Sequence, residues 1–302
     1  MIKRHRQLIE RYRVKPGSRL RLRKLDPADD GGPAFAPPDA GSAKERAAEF
    51  LVAGQAELAE AQELLWASDT YSVLIVLQGM DAAGKDGTIK HVMSGVNAQG
   101  SEVHSFKHPS EAELEHDFLW RYAEKAPERG RIGIFNRSYF EEVLVVKVHP
   151  QVLAAQRLPP GRRGRRFWQQ RYEAINHFEH HLVSNGTLIL KFFLNVSKAE
   201  QKRRLLERID DKAKRWKFSA ADLEERGYWA EYMQAYQDML RATSTRWAPW
   251  YVIPADHKPV ARALVAQLVS GSIRALGLHY PAVSAGELRQ LRAARRRLLG
   301  GG

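Results

Sequence analysis

The 302-residue chain is 44% apolar, enough to fill a substantial core, and it has no Cys; disulfides, thiolate zinc sites and cysteine nucleophiles are thereby excluded, and a reducing cytoplasm suits it. No run approaches the roughly 20 apolar residues that a membrane helix requires, so no membrane partner is expected. The net charge of +13 resides in the ends: residues 1–24 hold ten Lys and Arg against Glu10 alone, and residues 287–297 hold five Arg against Glu287. The body between them is balanced, which disfavours nucleic acid as partner and means that any polyanion site there must arise from local clustering.

Along the chain, Met1-Ile2-Lys3-Arg4-His5-Arg6 imitates the start of a signal peptide, but Glu10, Arg11 and Arg13 interrupt where an apolar stretch should follow, so secretion is not expected. Both basic ends read as solvated arms, or as segments that attract a polyanion or bind a neighbouring subunit. Breakers from Asp26 to Pro33, then Pro37, Pro38 and Gly41, predict a linker or wrapping arm. Ser42 opens a helix over 44–66, with Phe50, Leu51, Leu58, Leu64 and Leu65 on one apolar face. Val73 to Leu77 is a short apolar, β-branched run of the kind that forms a central parallel strand. Further strands are predicted at 131–135, 187–194 and 250–253, with a weaker one at 102–106. Helical patterns at 110–125, 164–183, 198–209, 220–241 and 258–276 alternate with them, which predicts a three-layer α/β/α fold around a parallel sheet.

Gly79-Met80-Asp81-Ala82-Ala83-Gly84-Lys85 satisfies the GxxxxGK part of a Walker A motif, between a strand and the helix predicted from Gly87, Thr88 and Ile89. That context aims backbone N–H groups and a helix N-terminus at a phosphate. Asp86 stands where Ser or Thr would normally meet magnesium, and a second carboxylate, Asp81, sits inside the loop. Two acids beside bound phosphates imply a divalent cation, with Asp81 the better candidate to hold it; Asp86 is either a ligand or a helix cap. At the end of the next strand, Asn136-Arg137-Ser138 occupies the place of a Walker B carboxylate. Asn136 suits metal-bound water and Arg137 suits phosphate, although Asn136 or Ser138 capping a helix is the plainer alternative.

With these residues in view, the chain resembles the family-2 polyphosphate kinases, P-loop enzymes that move phosphoryl groups between inorganic polyphosphate and nucleotides. The resemblance runs from Tyr12 to about Pro281 and is carried by residues 78–87, Ser105-Phe106-Lys107, His116 to Arg121, Phe135-Asn136-Arg137-Ser138, Trp216-Lys217-Phe218-Ser219 and Ala248 to Asp256. Asn136 followed by Glu141 is similar to the subgroup accepting both AMP and ADP. The resemblance implies a P-loop kinase fold with a helical lid at about 202–220, an arm and linker over 1–41, a kinase domain over 42–280 and a basic tail over 281–302. It also implies Mg2+ (or Mn2+), a homo-oligomer (tetramer or dimer), and phosphate or nucleotide contacts from Gly79, Ala82, Ala83, Gly84, Asp86, Gly87, Thr88, Lys107, Glu141, Lys212 and Lys217.

In such a reaction the acceptor is a phosphate oxygen already ionised at neutral pH, so positioning and charge neutralisation carry the catalysis. The expected catalytic set is Asp81, Lys85, Asn136, Arg137, Arg204 and Arg208, with Asp81 and Asn136 steering the metal. Arg204 and Arg208, four apart, share a helix face and are expected to reach one anion. Arg162-Arg163-Gly164-Arg165-Arg166 is a second basic cluster, read as a surface loop or an anion contact. Trp229, Tyr232 and Tyr236 recur at helical spacing and read as core; His177, His180 and His181 read as an amphipathic helix before a metal site. The rival readings are an ATP-dependent nucleotide kinase and a nucleic-acid module using the basic ends.

Overall fold

The computed structural model describes residues 2–32 and 43–300. In chain order it contains α1 (Ile2–Tyr12), α2 (Ala43–Ser68), β1 (Ser72–Gln78), α3 (Lys85–Val92), β2 (Ser101–Ser105), α4 (Glu111–Leu114), α5 (Trp120–Ala123) and β3 (Ile132–Asn136). A 3-10 turn (Tyr139–Val143), α6 (Val145–Val148), α7 (Pro150–Ala154), α8 (Arg165–Ser184) and β4 (Thr187–Asn195) follow. The remainder is α9 (Lys198–Asp210), α10 (Ala220–Gly227), α11 (Trp229–Thr243), β5 (Trp250–Pro254), α12 (Lys258–Arg274) and α13 (Ala285–Gly300).

The five strands form one parallel sheet in the order β2-β3-β1-β4-β5. Every residue of β1 and β5 is buried, as apolar runs without alternation require when both faces of a strand are covered. The edge strand β2, Ser-Glu-Val-His-Ser, is the partly exposed one. One helical layer contains α1, α2, α3 and α12, which pack on one another, and the other is built on α8 and α11. From β1 the chain crosses to β2 and β3 on one side, then to β4 and β5 on the other. The crevice left beside β1 by this reversal is where α/β proteins place their ligands, and residues 79–85 lie there.

Three expectations need correction. Residues 110–125 do not form one helix: Asp117 Oδ1 accepts the backbone N–H of Leu119 at 2.9 Å, a local turn that separates α4 from α5. Residues 220–241 divide between α10, ending at Gly227, and α11, starting at Trp229. The N-terminal segment is not a solvated arm, because Leu8, Tyr12, Val14 and Leu22 belong to the core. Val14 N–H donates to Trp250 O at 2.8 Å, Ser244 Oγ donates to Val14 O at 2.6 Å, and Asp256 N–H donates to Pro27 O at 3.0 Å. The segment is thus strapped across β5. The linker from Pro33 to Gly41, and Ser42, lie outside the described residues.

Beneath the crevice, Lys191 of β4 donates to Glu179 of α8 at 2.6 Å with both side chains wholly buried. Lys191 also donates to Thr243 O at 2.7 Å, and Tyr139 Oη donates to the other Glu179 oxygen at 2.9 Å. Burial drives the Glu179 carboxyl up and the Lys191 ammonium down from their usual ranges. Tyr139 opens the turn directly after Asn136-Arg137-Ser138, so this ion pair supports the floor of the crevice. Lys191→Met alone leaves a buried uncompensated carboxylate and is expected to cost about 3–5 kcal/mol, whereas Lys191→Met combined with Glu179→Leu should cost clearly less. Urea unfolding of the two variants checks this, and equal losses would contradict it.

Candidate functional site

The loop between β1 and α3 is shaped by its backbone. Gly79 has φ 157°, and a Cβ there would stand 3.0 Å from Leu194 O. Gly84, at φ 111°, is the N-cap of α3, where a side chain would be strained by the backbone conformation. Ala82 also takes a positive φ of 61°. Lys85 is buried and folded back on the loop, donating to Gly79 O at 2.7 Å and Met80 O at 3.3 Å. Burial, then the nearby Arg137 charge, lowers its pKa. A phosphate oxygen beside this ammonium reverses that penalty by supplying the missing negative charge.

Facing the loop are the residues that end β3. Arg137 has φ 64°, a conformation costing a non-glycine residue about 1–2 kcal/mol. Its N–H donates to Leu77 O at 3.1 Å, and its Nη2 donates to Asp81 Oδ1 at 2.6 Å. Glu141 lies 3.6 Å from Nη1; Glu141 and then Asp81 hold the guanidinium firmly charged against burial. Asn136 Nδ2 donates to Asp86 Oδ1 at 2.6 Å. The carboxylates of Asp81 and Asp86 are therefore each tied to one of the two residues at the end of β3, Arg137 and Asn136. Asp86 pairs instead of capping, while Ser138 is the cap, accepting from Phe140 N–H at 3.4 Å.

Arg204, expected to neutralise substrate charge, lines the cleft with its donors engaged inside the protein. Nε donates to Glu200 at 2.7 Å, Nη1 to the carbonyls of Ala82 and Ala83 at 3.0 and 2.8 Å, and Nη2 to those of Ala255 and Asp256 at 2.5 and 3.1 Å. A guanidinium has five N–H groups, and all five are engaged with protein acceptors. Arg204 braces the phosphate loop from below. Arg208, one turn on, also lines the cleft, with Nη1 on Asp222 Oδ2 at 2.8 Å. Burial and the Asp81 charge push the Asp222 carboxyl up, while Arg208 pulls it down.

The cleft has a volume of about 1030 Å³, and its walls carry ten Lys and Arg against Asp81, Asp86, Glu207 and Asp222. Of the expected residues, Asp81, Ala82, Ala83, Gly84, Lys85, Asp86, Gly87, Thr88, Lys107, Asn136, Arg137, Arg204, Arg208 and Lys217 line it. Gly79 and Glu141 lie behind, around a small space beneath the loop. Lys212 is exposed outside the cleft; Lys214 and Trp216 line it instead. The basic cluster at 162–166 is exposed at the start of α8 and also lies outside it. Sequence reasoning missed Lys90, Lys258 and Arg262, which complete the basic wall. Lys258 and Arg262 are four apart on α12, a spacing visible in sequence, but nothing in the sequence brings α12 beside a loop so far from it. Burial, then Arg204, lowers the pKa of both. It also missed Gln201, whose Nε2 donates to Asp81 O at 3.0 Å and whose Oε1 accepts from Arg226 of α10 at 2.7 Å, linking α9 and α10 to the loop.

A second cavity of about 540 Å³ adjoins the first, sharing Phe106, Lys107, His108 and Arg137 with it. Its walls mix Phe106, Phe118, Tyr122 and Val145 with Arg121, Arg171, Glu141 and Glu142. Arg171 stacks 4.5 Å from the Phe118 ring centre and lies 3.2 Å from Glu142, whose carboxyl burial raises. Apolar ring faces with a few fixed polar groups suit a nucleoside-sized molecule.

A profile of the family "Polyphosphate kinase 2" matches residues 41–277. The chain belongs to this family. It is 51% identical over 257 residues to a Rhodopseudomonas palustris protein named ADP-polyphosphate phosphotransferase, covering 85% of this chain and 89% of the relative. It is 44% identical over 277 residues to a Meiothermus ruber protein named AMP/ADP-polyphosphate phosphotransferase, covering 90% and 96%. Among solved structures, polyphosphate kinase 2 from Arthrobacter aurescens superposes with a TM-score of 0.83 at 38% identity, over 95% of this chain and 96% of that one. The three-layer parallel fold is thus the fold of the family.

No cluster of three or more metal-ligating His, Cys, Asp or Glu occurs among the described residues. The oxygen donors Asp81, Asp86 and the Asn136 amide fit a magnesium ion held by one or two carboxylates, water and substrate phosphate, and do not fit a protein-caged ion. The contrast between the two lid arginines is testable. Arg204→Ala orphans buried carbonyls and is expected to destabilise the protein by about 2–4 kcal/mol. Arg208→Ala should change stability by no more than about 1 kcal/mol and act on turnover instead. Thermal or urea unfolding of both variants checks this, and equal losses would contradict the assignment.

Proposed function

We propose that this polyphosphate kinase 2 family member transfers the terminal phosphoryl group of inorganic polyphosphate to AMP and to ADP, giving ADP and ATP. The observation that carries the reading is the junction at Arg137, where a cleft of basic side chains meets a smaller cavity with aromatic walls. The cleft suits an extended polyanion, and the cavity suits the nucleoside end of the acceptor. The names of the relatives from R. palustris and M. ruber agree, one specifying ADP and the other both nucleotides. Residues 42–280 form the catalytic domain, with the lid at about 202–220 closing on the polyanion, in a cytoplasmic homo-oligomer.

The chemistry follows from the geometry. An acceptor phosphate oxygen attacks the terminal phosphorus of polyphosphate; the bond to the bridging oxygen breaks and leaves a chain one unit shorter. The attacking oxygen is already ionised, so no strong general base is needed. Lys85 and the loop amides hold the transferring phosphate, Arg137 at the junction touches both substrates, and Arg208 and Lys217 neutralise charge from the lid side. Asp81 and the Asn136 amide oxygen would hold magnesium, which when bound would supply positive charge against the phosphates. A phosphoanhydride bond is broken in polyphosphate and another is formed in ADP or ATP, so the transfer is expected to run in both directions.

Lys85→Ala is expected to lower kcat by about 10²–10³ or more with unfolding unchanged, measured as ATP formed from ADP and polyphosphate; near-normal turnover would reject this mechanism. Chelation by EDTA should abolish transfer, and Mg2+ or Mn2+ should restore it. Offering AMP, ADP, GMP and GDP separately with polyphosphate tests the acceptors. An enzyme that phosphorylated them from ATP but ignored polyphosphate would be an ordinary nucleotide kinase instead.

A further inference from the structure

The N-terminal strap carries charge that the phosphoryl-transfer site does not use. Residues 15–24, Lys-Pro-Gly-Ser-Arg-Leu-Arg-Leu-Arg-Lys, hold five cations and no acid. Their backbone is fixed along its length. Arg13 forms an antiparallel bridge with Tyr251, Arg241 Nε donates to Leu20 O at 2.7 Å, Leu22 N–H donates to Gln237 Oε1 at 3.0 Å, and Asn195 Nδ2 donates to Leu25 O at 3.3 Å. Leu20 and Leu22 pack on the core, and the alternation along this stretch sends Arg19, Arg21 and Arg23 outward. Just before it, Arg11 and Arg13 are neutralised by Asp29 and Glu10 at 2.6 and 2.7 Å. Lys15, Arg19, Arg21, Arg23 and Lys24 are all exposed, and none has a side-chain hydrogen bond or ion pair among the described residues.

These cations line two grooves between the strap and the body of the protein. Arg21 and Arg23 enter one of about 530 Å³ beside α11, and Lys15, Arg19 and Lys24 enter one of about 560 Å³ beside the end of β5. With Arg241, Arg11 and Arg13, eight cations face only Asp26 and Asp29, and Asp29 is already paired with Arg11. The grooves share Leu25 and Asn195, so they meet at the carboxyl end of β4. Pro254, the last residue of β5, lines the second groove, and Ala255, the next residue, lines the phosphate cleft. Basic surface therefore continues from the cleft onto the strap along the sheet edge that carries the phosphate loop.

We propose that the strap is a second grip for inorganic polyphosphate, holding the part of a long chain that extends beyond the cleft; this rests on the cleft being the site of the reacting chain end. Every internal phosphate of a linear polyphosphate carries a negative charge, so the chain can answer each unpaired cation in turn. The strap backbone is already fixed, so little ordering is required on binding. A chain held in the cleft meets the strap at high effective concentration. The second contact thus tightens long chains and does not touch short ones that end inside the cleft. A single-stranded nucleic acid would need ring faces for its bases. The rings lining the grooves are Tyr12, which is buried, and Trp229, half-buried with Lys198 Nζ 5.9 Å from its ring centre.

Steady-state phosphorylation of ADP by the full chain tests this at two donor lengths. With long-chain polyphosphate, Arg19→Gln/Arg21→Gln/Arg23→Gln/Lys24→Gln should raise KM, expressed in chain ends, about tenfold or more at unchanged kcat. With the shortest linear polyphosphate that the wild type uses, variant and wild type should agree, which also shows that the variant is folded. Arg19→Lys/Arg21→Lys/Arg23→Lys keeps the charge and should match the wild type at both lengths. Added salt should narrow the wild type's preference for long chains, because the strap contacts are exposed and screened. The proposal is overturned if the glutamine variant matches the wild type on long chains, or if it loses short-chain and long-chain turnover alike. It is equally overturned if long-chain KM is unchanged while the variant loses binding of a single-stranded oligonucleotide, which would assign the strap to nucleic acid. A wild type that transfers from no polyphosphate of any length would reject the function proposed for the cleft, and the second grip with it.

Discussion

The guanidinium of Arg204 is the constraint on which the candidate site depends. It joins the carbonyls of Ala82 and Ala83 in the phosphate loop to those of Ala255 and Asp256 after β5. Three chain segments far apart in sequence are thereby fixed by one planar, permanently charged group that matches five acceptors at once; a lysine, with a single nitrogen, could not do this. Asp256 extends the bracing, since its carboxylate accepts Ser197 N–H at the start of α9 at 2.7 Å and its own N–H reaches the N-terminal strap at Pro27. Holding the Ala82 and Ala83 carbonyls fixes the backbone of the loop where it enters α3, and a helix N-terminus is what phosphate binding requires.

Above this brace the cleft holds excess positive charge in poorly solvated positions. Burial lowers the pKa of Lys85, Lys258 and Arg262, and neighbouring cations add to the effect. Such crowding is unfavourable in the protein alone and is relieved by a polyanion, so part of the electrostatic energy of binding is set by the fold itself. The carboxylates oppose this only locally. Asp81 pairs with Arg137, Asp86 with Asn136 and Asp222 with Arg208, at separations of 2.6, 2.6 and 2.8 Å. Each pair can exchange its internal partner for metal or phosphate.

Much of this was readable from residue patterns. The apolar runs of β1, β3, β4 and β5 show no alternation, and burial on both faces is the physical cause, so the parallel sheet was legible. The phosphate loop was legible because its glycines and lysine are contiguous. The bracing by Arg204 was not legible because a basic residue on a helix looks the same in sequence whether its donors meet carbonyls or solvent. Lys258, Arg262 and Gln201 were missed because only chain crossing places α12 and α9 beside the loop. The N-terminal strap was misread since its charge is conspicuous, while Leu8, Tyr12, Val14 and Leu22 are too widely spaced to signal a buried face.

The sequence by itself determined the sheet, the phosphate loop, the acid in place of its usual hydroxyl and the family to which the chain belongs, because these depend on neighbours in the chain. Tertiary structure decided which cations line the cleft and which of them hold the backbone. It also decided that the aromatic cavity opens beside Arg137 and that the two ends differ, one strapped into the core and the other exposed as a helix. Those outcomes depend on which donors meet which acceptors across distant segments, and residue type does not encode that pairing.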